Sequence, residues 1–330
     1  MRVFLTGGTG YIGSHTAVEL LRSGHEVLLY DNLSNSDISV VDGIYRICGI
    51  KPSFVKGDVT DEKSLTEAMR TFKPHAVIHF AGLKSVKRSV SEPLSYYRVN
   101  VGGITVLLGV MAKLGVNNLI FSSSATVYDA RQNMPVGEDG IVGNAANPYG
   151  ETKIICEQLI ADVCKCSPLN ATVLRYFNPI GAHPSGLIGE KPDYPDNLAP
   201  YVTDVVLGKR EFVGVFGDDY PTVDGTGVRD YIHVCDLAQG HVLALNNMQG
   251  LKTYNLGTGV GSSVLQVIAA FSEAVGYSIP YKILPRRDGD VACLVALADK
   301  AKRELNFCPK YNLSDMALTC IKYARKVLSE

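Results

Sequence analysis

Two side chains that together could take a proton from an alcohol stand four residues apart in the segment 147–153. Tyr149 and Lys153 share one face of the helix that this segment is predicted to open, because residues four apart are neighbours on a helix. A free phenol has a pKa of about 10, so only ~0.1% of it is ionised at neutral pH. A cation beside the phenol favours the phenolate and lowers that pKa. The pair therefore predicts a base that works near pH 7, although the same spacing also occurs on ordinary helix faces.

A glycine-rich turn near the amino terminus predicts what such a base would work beside. An apolar run at 2–6 leads into glycines at 7–13, an amphipathic stretch at 14–23 and a second apolar run at 26–30. Strand, glycine turn, helix and strand in this order are typical of a dinucleotide-binding unit. The amino terminus of the helix offers N–H groups and a partial positive charge to phosphates.

Three glycines and one acid give this unit its specific features. Gly7 suits the tight turn, Gly10 the close approach of a pyrophosphate, and Gly13 the packing of helix against strand. Asp31 comes 18 residues after Gly13, where a carboxylate can bind the ribose hydroxyls of adenosine. Since an acid at this point repels a 2′-phosphate, we predict NAD rather than NADP as the cofactor.

A second acidic residue follows the third predicted strand, Ser53–Lys56. Asp58 and Val59 fit a contact with the adenine ring. Asp58 could also cap the helix that is predicted to begin near Thr60. The two roles are compatible, and the sequence leaves both open.

Composition excludes several classes of function. Of the 330 residues, 46% are hydrophobic and 20% charged, and the net charge of −1 lacks the basic surplus of a nucleic-acid binder. No apolar run approaches the 18 residues of a membrane span, and the first residues enter a strand without room for a secretory signal. The eight cysteines are scattered, which argues against a zinc site and for reduced thiols in the cytoplasm.

Strand and helix patterns alternate as far as about residue 175. Further strands are predicted at 76–80, 118–122 and 173–176, and helices at 36–48, 61–71, 93–114 and 149–166. This alternation predicts an α/β protein with a Rossmann-type doubly wound parallel sheet that has helices on both faces.

The pattern loosens after residue 178, where Gly and Pro accumulate. We predict an NAD-binding Rossmann domain over 1–178, to which later segments near 230–260 return, including a strand at 253–256. The residues 179–330, which end in a helix near 313–328, are expected to form mainly a smaller, discontinuous α/β lobe that supplies substrate contacts. Ligands bind beyond the carboxyl ends of parallel strands, so the expected site is the cleft between the lobes.

A run of serines at the end of the fifth predicted strand supplies a third reactive group. Ser124 would face the cleft and comes 25 residues before Tyr149. Its hydroxyl could donate to a substrate hydroxyl or relay its proton, although one serine in a loop often only shapes a turn. Ser, Tyr and Lys in this order match a site in which a phenolate deprotonates an alcohol while its carbon gives hydride to a nicotinamide.

With these motifs in place, the chain resembles the extended short-chain dehydrogenases/reductases, and among them closely the UDP-sugar 4-epimerases, over essentially its whole length. The segments that carry the resemblance are 7–15, 31–36, 79–84, 121–128, 148–153, 174–179, 224–234 and 286–290.

The resemblance implies NAD-dependent 4-epimerisation of UDP-glucose and UDP-galactose through a transient 4-keto sugar, with NAD held throughout turnover. It makes Tyr149 the base on the 4-hydroxyl, Lys153 the residue that lowers its pKa and holds the nicotinamide ribose, and Ser124 the residue that positions the hydroxyl. It also suggests a homodimer paired through the helices at 93–114 and 149–166. Their apolar faces could instead pack on their own sheet, and the sequence does not separate the two arrangements.

The glycine turn and the resemblance together give two sets of binding residues. Beside Tyr149 and Lys153, the predicted NAD contacts are Gly7, Gly10, Tyr11, Ile12, Gly13, Asp31, Asn32, Asn35, Ser36, Asp58, Val59, Phe80, Ala81, Gly82, Lys84 and Phe177. Beside Ser124 and Tyr149, the predicted UDP-sugar contacts are Lys84, Ser122, Asn178, Asn197, Leu198, Arg229, Arg287, Asp290 and Leu294. Two arginines suit a pyrophosphate, because guanidinium groups pair bidentately with phosphate. No metal site is predicted.

Some residues depart from the family's pattern. Val99 stands where an Asn commonly helps to hold the cofactor, so we expect somewhat weaker NAD retention. Lys87 and Arg88 replace a more usual Gly-Glu pair, and they either recharge the mouth of the cleft or are simply solvated. Leu294 aligns with a position whose bulk limits the space beside the sugar C2 substituent. Because Leu is smaller than the aromatic residue that excludes acetylated sugars there, we hypothesise that UDP-N-acetylglucosamine and UDP-N-acetylgalactosamine are also accepted.

Two other functions fit the same fold. An NDP-sugar 4,6-dehydratase needs extra acid–base groups, commonly Asp and Glu around Ser124, and the stretch 122–127 has no carboxylate. A catalytically idle NAD-sensing partner protein would be marked by loss of Tyr149 or Lys153, and both are present. Fold alone does not prove activity.

Overall fold

The structure is a computed structural model that describes residues 1–129, 131–192, 195, 197–287 and 289–329. Its strands are β1 Arg2–Thr6, β2 Glu26–Asp31, β3 Ser53–Lys56, β4 Ala76–His79, β5 Asn118–Ser124, β6 Asn170–Tyr176, β7 Asn178–Ile180, β8 Val213–Phe216, β9 Val228–His233, β10 Leu251–Leu256, β11 Gly261–Ser263, β12 Tyr281–Leu284 and β13 Cys293–Leu294. Its α-helices are α1 Tyr11–Arg22, α2 Ser39–Cys48, α3 Glu62–Phe72, α4 Val86–Ser91, α5 Pro93–Tyr96, α6 Gly102–Leu114, α7 Pro148–Cys166, α8 Leu198–Val206, α9 Val234–Leu245, α10 Val264–Val275, α11 Asp299–Leu305 and α12 Leu313–Ser329.

Seven strands form one parallel sheet in the order β10-β6-β5-β4-β1-β2-β3. Successive side chains of a strand point to opposite faces, and both faces of β1 are buried here. Val3 and Leu5 pack with α1 and α9 on one face, whereas Phe4 packs with α3 and α6 on the other. The predicted α/β parallel sheet with helices on both faces is confirmed.

The strand β10 comes back to this sheet from the carboxyl-terminal half of the chain. It pairs with β6 along its whole length, from Leu251 opposite Ala171 to Leu256 opposite Tyr176. The helix α9, just before it, packs against α1. The chain from 234 to 256 therefore completes the layer that begins at the amino terminus.

Smaller sheets lie beyond the carboxyl ends of the main strands. The strand β9 pairs with β7 and β13 in parallel and with β11 in the antiparallel direction, and β8 pairs with β12. A separate hydrophobic core joins α8, α10 and α12 to β8 through buried side chains such as Val202, Phe271 and Ile321.

The predicted single helix at 93–114 is wrong in detail. Pro93 begins the short helix α5, the segment Tyr97–Val101 has π-helical hydrogen bonding, and α6 starts only at Gly102. The wide turn brings Asn100 inward, where its side chain is buried and hydrogen-bonded to Leu83. A π-helical turn of this kind often marks a functional region.

Candidate active site

A cavity of about 1350 Å³ opens at the carboxyl ends of the main strands. Its walls include the turn after β1, the residues that follow β4, the end of β5 and the start of α7. Parts of the second lobe close the other side, including Asn197, Arg229 and Leu294. A parallel sheet binds ligands at this end, and the volume is large enough for two nucleotide-sized molecules side by side.

Most of the residues predicted from the sequence line this cavity. Those that do are Gly7, Gly10, Tyr11, Ile12, Gly13, Asp31, Asn32, Asn35, Ser36, Asp58, Val59, Phe80, Ala81, Gly82, Lys84, Ser122, Ser124, Tyr149, Lys153, Phe177, Asn178, Asn197, Arg229, Asp290 and Leu294. Leu198 and Arg287 are not part of the lining, and Asp288 of the 286–290 segment lies outside the described residues.

The glycine turn forms a cradle that side chains would fill. Gly7 has φ 69°, a left-handed conformation, and a Cβ there would lie 2.6 Å from the backbone N of Ala81. Gly10 caps α1 without help from a side chain, and a Cβ on Gly10 would be 3.2 Å from the carbonyl oxygen of Gly7. The first N–H groups of α1 therefore face open space at the cavity wall. This is the local structure that accommodates a pyrophosphate.

The carboxylate of Asp31 is fixed at the end of β2 by backbone and side-chain donors. Its Oδ2 accepts from the backbone N of Thr9 at 3.1 Å, and its Oδ1 accepts from Leu33 N and from the Ser36 hydroxyl. The Ser36 hydroxyl also bonds Thr9 Oγ1 at 2.7 Å. The acid is thus held rigidly beside the glycine turn, where the ribose of a dinucleotide would lie.

Asp58 shapes a turn next to this wall rather than capping a helix. It accepts from the backbone N and the hydroxyl of Thr60 and from the Asn32 amide. Burial raises its pKa, but these hydrogen bonds outweigh burial and the pKa is lowered overall. The cap of α3 is Asp61, which accepts from Lys63 and Ser64. Of the two roles left open for Asp58, capping is therefore wrong.

Tyr149 lies at the start of α7, where Pro148 occupies the first turn and Asn147 caps the helix through Gly150 N. Its side chain interacts with that of Ser124 at the end of β5, and this interaction acts to lower the pKa of the phenol. Burial has the larger effect, and the pKa of Tyr149 is raised to about 12. The phenol is therefore protonated at neutral pH in the protein without ligands.

Burial dominates the pKa of Tyr149, which is raised and not lowered as the spacing to Lys153 predicts. The Nζ of Lys153 lies 5.9 Å from the centre of the Tyr149 ring and donates to the carbonyl oxygen of Ser122 at 2.6 Å. The side chain is buried, which lowers the pKa of Lys153. Spacing along the helix gave the correct face, but it could not give the degree of burial that sets these two pKa values.

Lys84 crosses the cavity to the opposite lobe. Its Nζ pairs with the Glu190 carboxylate at 2.6 Å and lies 5.9 Å from the centre of the Tyr11 ring. The Tyr11 hydroxyl donates to the carbonyl oxygen of Gly181 at 2.6 Å. Glu190 was not predicted as a site residue, because the loop that carries it has no periodic pattern and no known motif signal.

An acid stands between the two arginines that were predicted to bind a pyrophosphate. Arg287 donates to Asp290 Oδ2 at 2.8 Å, and Arg229 Nη2 lies 3.9 Å from Asp290 Oδ1. Arg229 is also fixed by the carbonyl oxygens of Val228 and Val291. Arg287 is 53% exposed and stacks over Phe216, so it stands outside the cavity at its rim.

The departures at Val99 and at Lys87-Arg88 differ in their consequences. Val99 lines the cavity within the π-helical segment and offers no hydrogen bond there. Lys87 and Arg88 are exposed on α4 and do not line the cavity, and Arg88 pairs with Glu92 at 3.3 Å. Of the two alternatives for this pair of cations, solvation is the one observed.

Leu294 lies on β13 opposite Arg229 of β9. Its half-buried side chain packs with the cluster formed by Val127, Tyr128 and Phe177. Leu294 lines the same cavity as Ser124 and Tyr149.

Comparison with known proteins gives consistent results. Residues 3–257 match the model of the NAD dependent epimerase/dehydratase family. The chain is 49% identical over 322 residues to a UDP-glucose 4-epimerase of Yersinia pestis, covering 96% of this chain and 95% of that protein. The chain is similar to the crystal structure of UDP-glucose-4-epimerase from Stenotrophomonas maltophila with bound NAD and formylated UDP-arabinopyranose. The TM-score is 0.97 and the identity 48%, and the match covers 100% of this chain and 99% of that one. The UDP-Glc/GlcNAc 4-epimerase of Campylobacter jejuni is 32% identical with a TM-score of 0.86, over 98% and 99% of the two chains.

Proposed function

This chain belongs to the NAD dependent epimerase/dehydratase family, and we propose that it interconverts UDP-glucose and UDP-galactose by inverting carbon 4 with NAD as its cofactor. The observation that carries this is the meeting of Tyr149 and Ser124 in one cavity with the glycine cradle. A buried tyrosine beside a serine hydroxyl can, once it is deprotonated to the phenolate, accept the proton of a sugar 4-hydroxyl and return it.

The residues present fit NAD. Gly7 lets the turn lie close against the backbone of Ala81, and Gly10 leaves the amino terminus of α1 without a side-chain cap, so a pyrophosphate could bind its N–H groups. Asp31 offers a fixed carboxylate to the adenosine ribose, and an acid at this position disfavours a 2′-phosphate. Val59 and Phe80 are proposed to contact the adenine and nicotinamide portions of the cofactor. When bound, NAD supplies a reversible two-electron acceptor for carbon 4 and a positive charge beside the phenol.

Three side chains of the cavity, Tyr149, Ser124 and Lys153, are proposed to act on the sugar and the cofactor. Tyr149 takes the proton of the 4-hydroxyl and gives it back, which leaves a transient 4-keto sugar between the two steps. Ser124 orients that hydroxyl, and Lys153 binds the nicotinamide ribose and favours the phenolate electrostatically. Since the pKa of Tyr149 is raised to about 12, mainly by burial, positive charge beside the phenol is needed to favour the phenolate near neutral pH.

We propose that the UDP portion binds on the second lobe. Asn178 and Asn197 line the cavity, and Arg229 is held there by two carbonyl oxygens with its guanidinium toward Asp290. A diphosphate that approaches Arg229 would displace this long contact of 3.9 Å and draw Arg287 inward from the rim. The main sheet with its helices and β10 is thus proposed as the NAD-binding domain, and most of 179–330 as the UDP-sugar lobe.

The direct experiment incubates the purified protein with UDP-galactose, without added cofactor, and follows UDP-glucose together with the absorbance of bound reduced nicotinamide. We expect conversion, and we expect Tyr149→Phe to lower kcat by about 10²–10⁴-fold, as for loss of a general base. Tyr201→Phe, a tyrosine outside the cavity lining, is the matched control. No conversion by the unmodified protein, or full activity of Tyr149→Phe, would refute the proposal.

We further propose that the acetylated sugars UDP-N-acetylglucosamine and UDP-N-acetylgalactosamine are substrates. Leu294 leaves more of the wall beside the sugar open than an aromatic ring would. The similar protein from Campylobacter jejuni is itself a UDP-Glc/GlcNAc 4-epimerase. Assays with both pairs of sugars decide this point, because absence of turnover with the acetylated pair contradicts it.

A homodimer is proposed through the helical segment 93–114 and α7. Exposed apolar side chains cluster on these elements: Leu94 is 83% exposed, and Tyr97 and Ile155 are also exposed. A Cβ on Gly102 or Gly109 of α6 would meet no atom within 4 Å, so that face is open to close approach by a second helix. Sedimentation of Leu94→Asp tests the interface, with Ile141→Asp, exposed on another part of the chain, as the control. Dissociation of the control alone, or of neither variant, contradicts this interface.

A cytoplasmic location is proposed because all eight cysteines have free thiols, as expected in a reducing compartment. Within the described part of the chain, no helix has the length and apolar character needed to cross a membrane.

A further inference from the structure

The helix α7 contacts the end of β5 through three polar groups spaced one turn apart. Tyr149 interacts with the Ser124 side chain, and four residues later Lys153 Nζ donates to Ser122 O at 2.6 Å. Four residues later again, Glu157 Oε1 accepts from the Ser123 hydroxyl at 2.5 Å. Three successive serine positions of one strand are thus matched to three turns of one helix. The first two contacts belong to the reactive groups, and the third lies outside the cavity lining on the helix side.

Glu157 is itself fixed by a buried ion pair. Arg175 donates through Nη2 to Glu157 Oε2 at 2.6 Å and through Nε to Oε1 at 3.1 Å. The Glu157 side chain is 12% exposed and that of Arg175 is 7% exposed, so solvent screens the attraction between the two charges little. Arg175 lies on β6 directly opposite Ser123 of β5. The bidentate pair therefore joins α7, β5 and β6 at one point.

The same arginine also fixes the chain that follows Ser124. Its Nη1 lies 3.0 Å from the Tyr128 hydroxyl, and its guanidinium is 4.8 Å from the centre of the Tyr128 ring. The Tyr128 hydroxyl donates in turn to Asn255 Oδ1 on β10 at 2.6 Å. Ser124 is thus held on both sides, by the contact of Ser123 before it and by that of Tyr128 after it.

We propose that Glu157 is a positioning residue of the epimerase site. Together with Arg175 it keeps α7 and β5 in the register that brings Tyr149 and Lys153 to Ser124, and its charge supports the ammonium of Lys153. This inference rests on the proposed function.

The charges around Lys153 support the proposed electrostatic effect of Glu157 on its ammonium group. Burial lowers the pKa of Lys153, whereas Cys156 and Glu157 act in the opposite direction. Cys156 on the same helix is neutral at pH 7 because burial raises its pKa to about 11, and His79 on β4 is neutral because burial lowers its pKa to about 3. Glu157 lies one turn from Lys153 on α7, and its charge therefore favours the protonated form of Lys153.

The buried tyrosine Tyr176 does not add negative charge to this balance. Burial raises the pKa of Tyr176 on β6, and Tyr149 is faced by Tyr176 and by Tyr96 on α5. Loss of the Glu157 charge should therefore let Lys153 lose its proton at a lower pH. The rate would then fall at lower alkaline pH than in the unmodified protein.

The test compares pH–rate profiles of Glu157→Gln, Ser123→Ala and the unmodified enzyme with UDP-galactose. For Glu157→Gln we expect kcat to fall by about 10–10²-fold, the scale of a displaced reactive group, with KM unchanged because Glu157 does not line the cavity. We also expect the alkaline limb of its pH–rate profile, where the rate falls as the pH rises, to move to lower pH. Ser123→Ala keeps the ion pair and should lower kcat without moving the limb. Glu62→Gln, the same change in the exposed ion pair of Glu62 with Lys113, is the control.

A second variant distinguishes the proposed positioning and electrostatic roles of Glu157 from a loss of activity that is caused only by a less stable fold. Glu157→Gln alone leaves the buried Arg175 unpaired, which is expected to destabilise the fold. In Glu157→Gln/Arg175→Met the unpaired charge is gone, so the thermal midpoint should recover toward that of the unmodified protein. If the role is the proposed one, kcat stays low and the alkaline limb stays displaced. Recovery of kcat and of the unmodified profile together with stability would overturn the inference.

The two proposals fail in different ways. If the unmodified protein does not interconvert the two UDP-hexoses, the proposed function is wrong. If it does so and Glu157→Gln has the unmodified kcat and pH profile, only the role of Glu157 is wrong.

Discussion

Glu190 and Lys84 form an ion pair of 2.6 Å across the cavity, between the loop of the second lobe and the residues that follow β4. The Glu190 side chain is 11% exposed and that of Lys84 is 47% exposed. The carboxylate therefore neutralises a cation that the proposed function assigns to NAD. Lys84 has to be shared between Glu190 and the bound cofactor.

Replacing Glu190 by Gln should strengthen NAD binding. The change frees the charge of Lys84 for a ligand with a negative pyrophosphate, and a partly exposed pair of this kind contributes about 0–1 kcal/mol, or up to roughly fivefold in Kd. Titration of NAD into cofactor-stripped protein at low and high salt measures the effect. Glu92→Gln, in the exposed pair with Arg88, is the control and should leave the Kd unchanged. Weaker binding by Glu190→Gln would contradict the sharing of Lys84.

Replacing Val99 by Asn should increase the retention of NAD. Val99 lines the cavity from the π-helical segment, where an amide could donate or accept a hydrogen bond that valine lacks. One such bond is worth about 0.5–1.5 kcal/mol, or roughly 2–12-fold in affinity. The NAD content of the purified protein and its rate of release measure this. Val106→Asn, on α6 outside the cavity lining, serves as the control, and full NAD occupancy in the unmodified protein would count against the prediction.

Replacing Leu294 by Tyr should narrow the range of substrates. Leu294 lines the cavity, so a larger side chain there takes up space and crowds an acetamido group more than a hydroxyl group. We expect the kcat/KM ratio of acetylated to plain sugars to fall by about 10-fold or more, as for a change of one to three kcal/mol in pocket fit. Parallel assays of both sugar pairs measure the ratio. An unchanged ratio would show that space near residue 294 does not limit the C2 substituent.

Acid should destabilise the protein through its buried histidines. Burial is the first cause of a lowered pKa in each of them, and the values are about 3 for His15 and His79 and about 4 for His183, His233 and His241. In the unfolded chain these rings bind protons near pH 6.5, whereas the folded protein keeps them neutral. The unfolded state therefore binds more protons, and the free energy of unfolding should fall as the pH decreases from about 6.5 toward 4.

Guanidinium unfolding at several pH values measures this dependence. His15→Gln removes one of the groups, and its unfolding free energy should change less between pH 6.5 and 4 than that of the unmodified protein. His75→Gln, at an exposed position, should leave the pH dependence as it is. Stability that stays constant over this range would contradict the role of the buried rings.

The sequence predicted the fold where local patterns determine it. Apolar runs in β1 and β2 and the glycines after β1 indicated the first nucleotide-binding unit, because buried parallel strands and tight turns restrict which residues can occur. Short elements without such patterns, such as α4 and β7, were not predicted. The break within 93–114 was also missed, because a π-helical turn has no sequence signal of its own.

The candidate site was predictable as a set of residues but less so in its electrostatics. The sequence predicted that Lys153 lowers the pKa of Tyr149 and so makes it a base. Burial instead has the largest effect on both groups, raising the pKa of Tyr149 and lowering that of Lys153. Glu190 and Glu157 were missed, because their importance comes from partners 106 and 18 residues away in the chain. Leu198 and Arg287 were expected in the cavity, but Leu198 turns into α8 and Arg287 stays at the rim.

The pairing of β10 with β6 has a consequence for synthesis on the ribosome. The edge of β6 has no hydrogen-bonding partner until residues 251–256 have been translated, about 75 residues after β6 itself. A nascent or truncated chain that ends near residue 178 would expose this edge, and free strand edges template aggregation. The amino-terminal sheet is therefore complete only after residues 251–256 have paired with β6. A shortened chain that keeps every nucleotide-binding residue but lacks this strand should still precipitate.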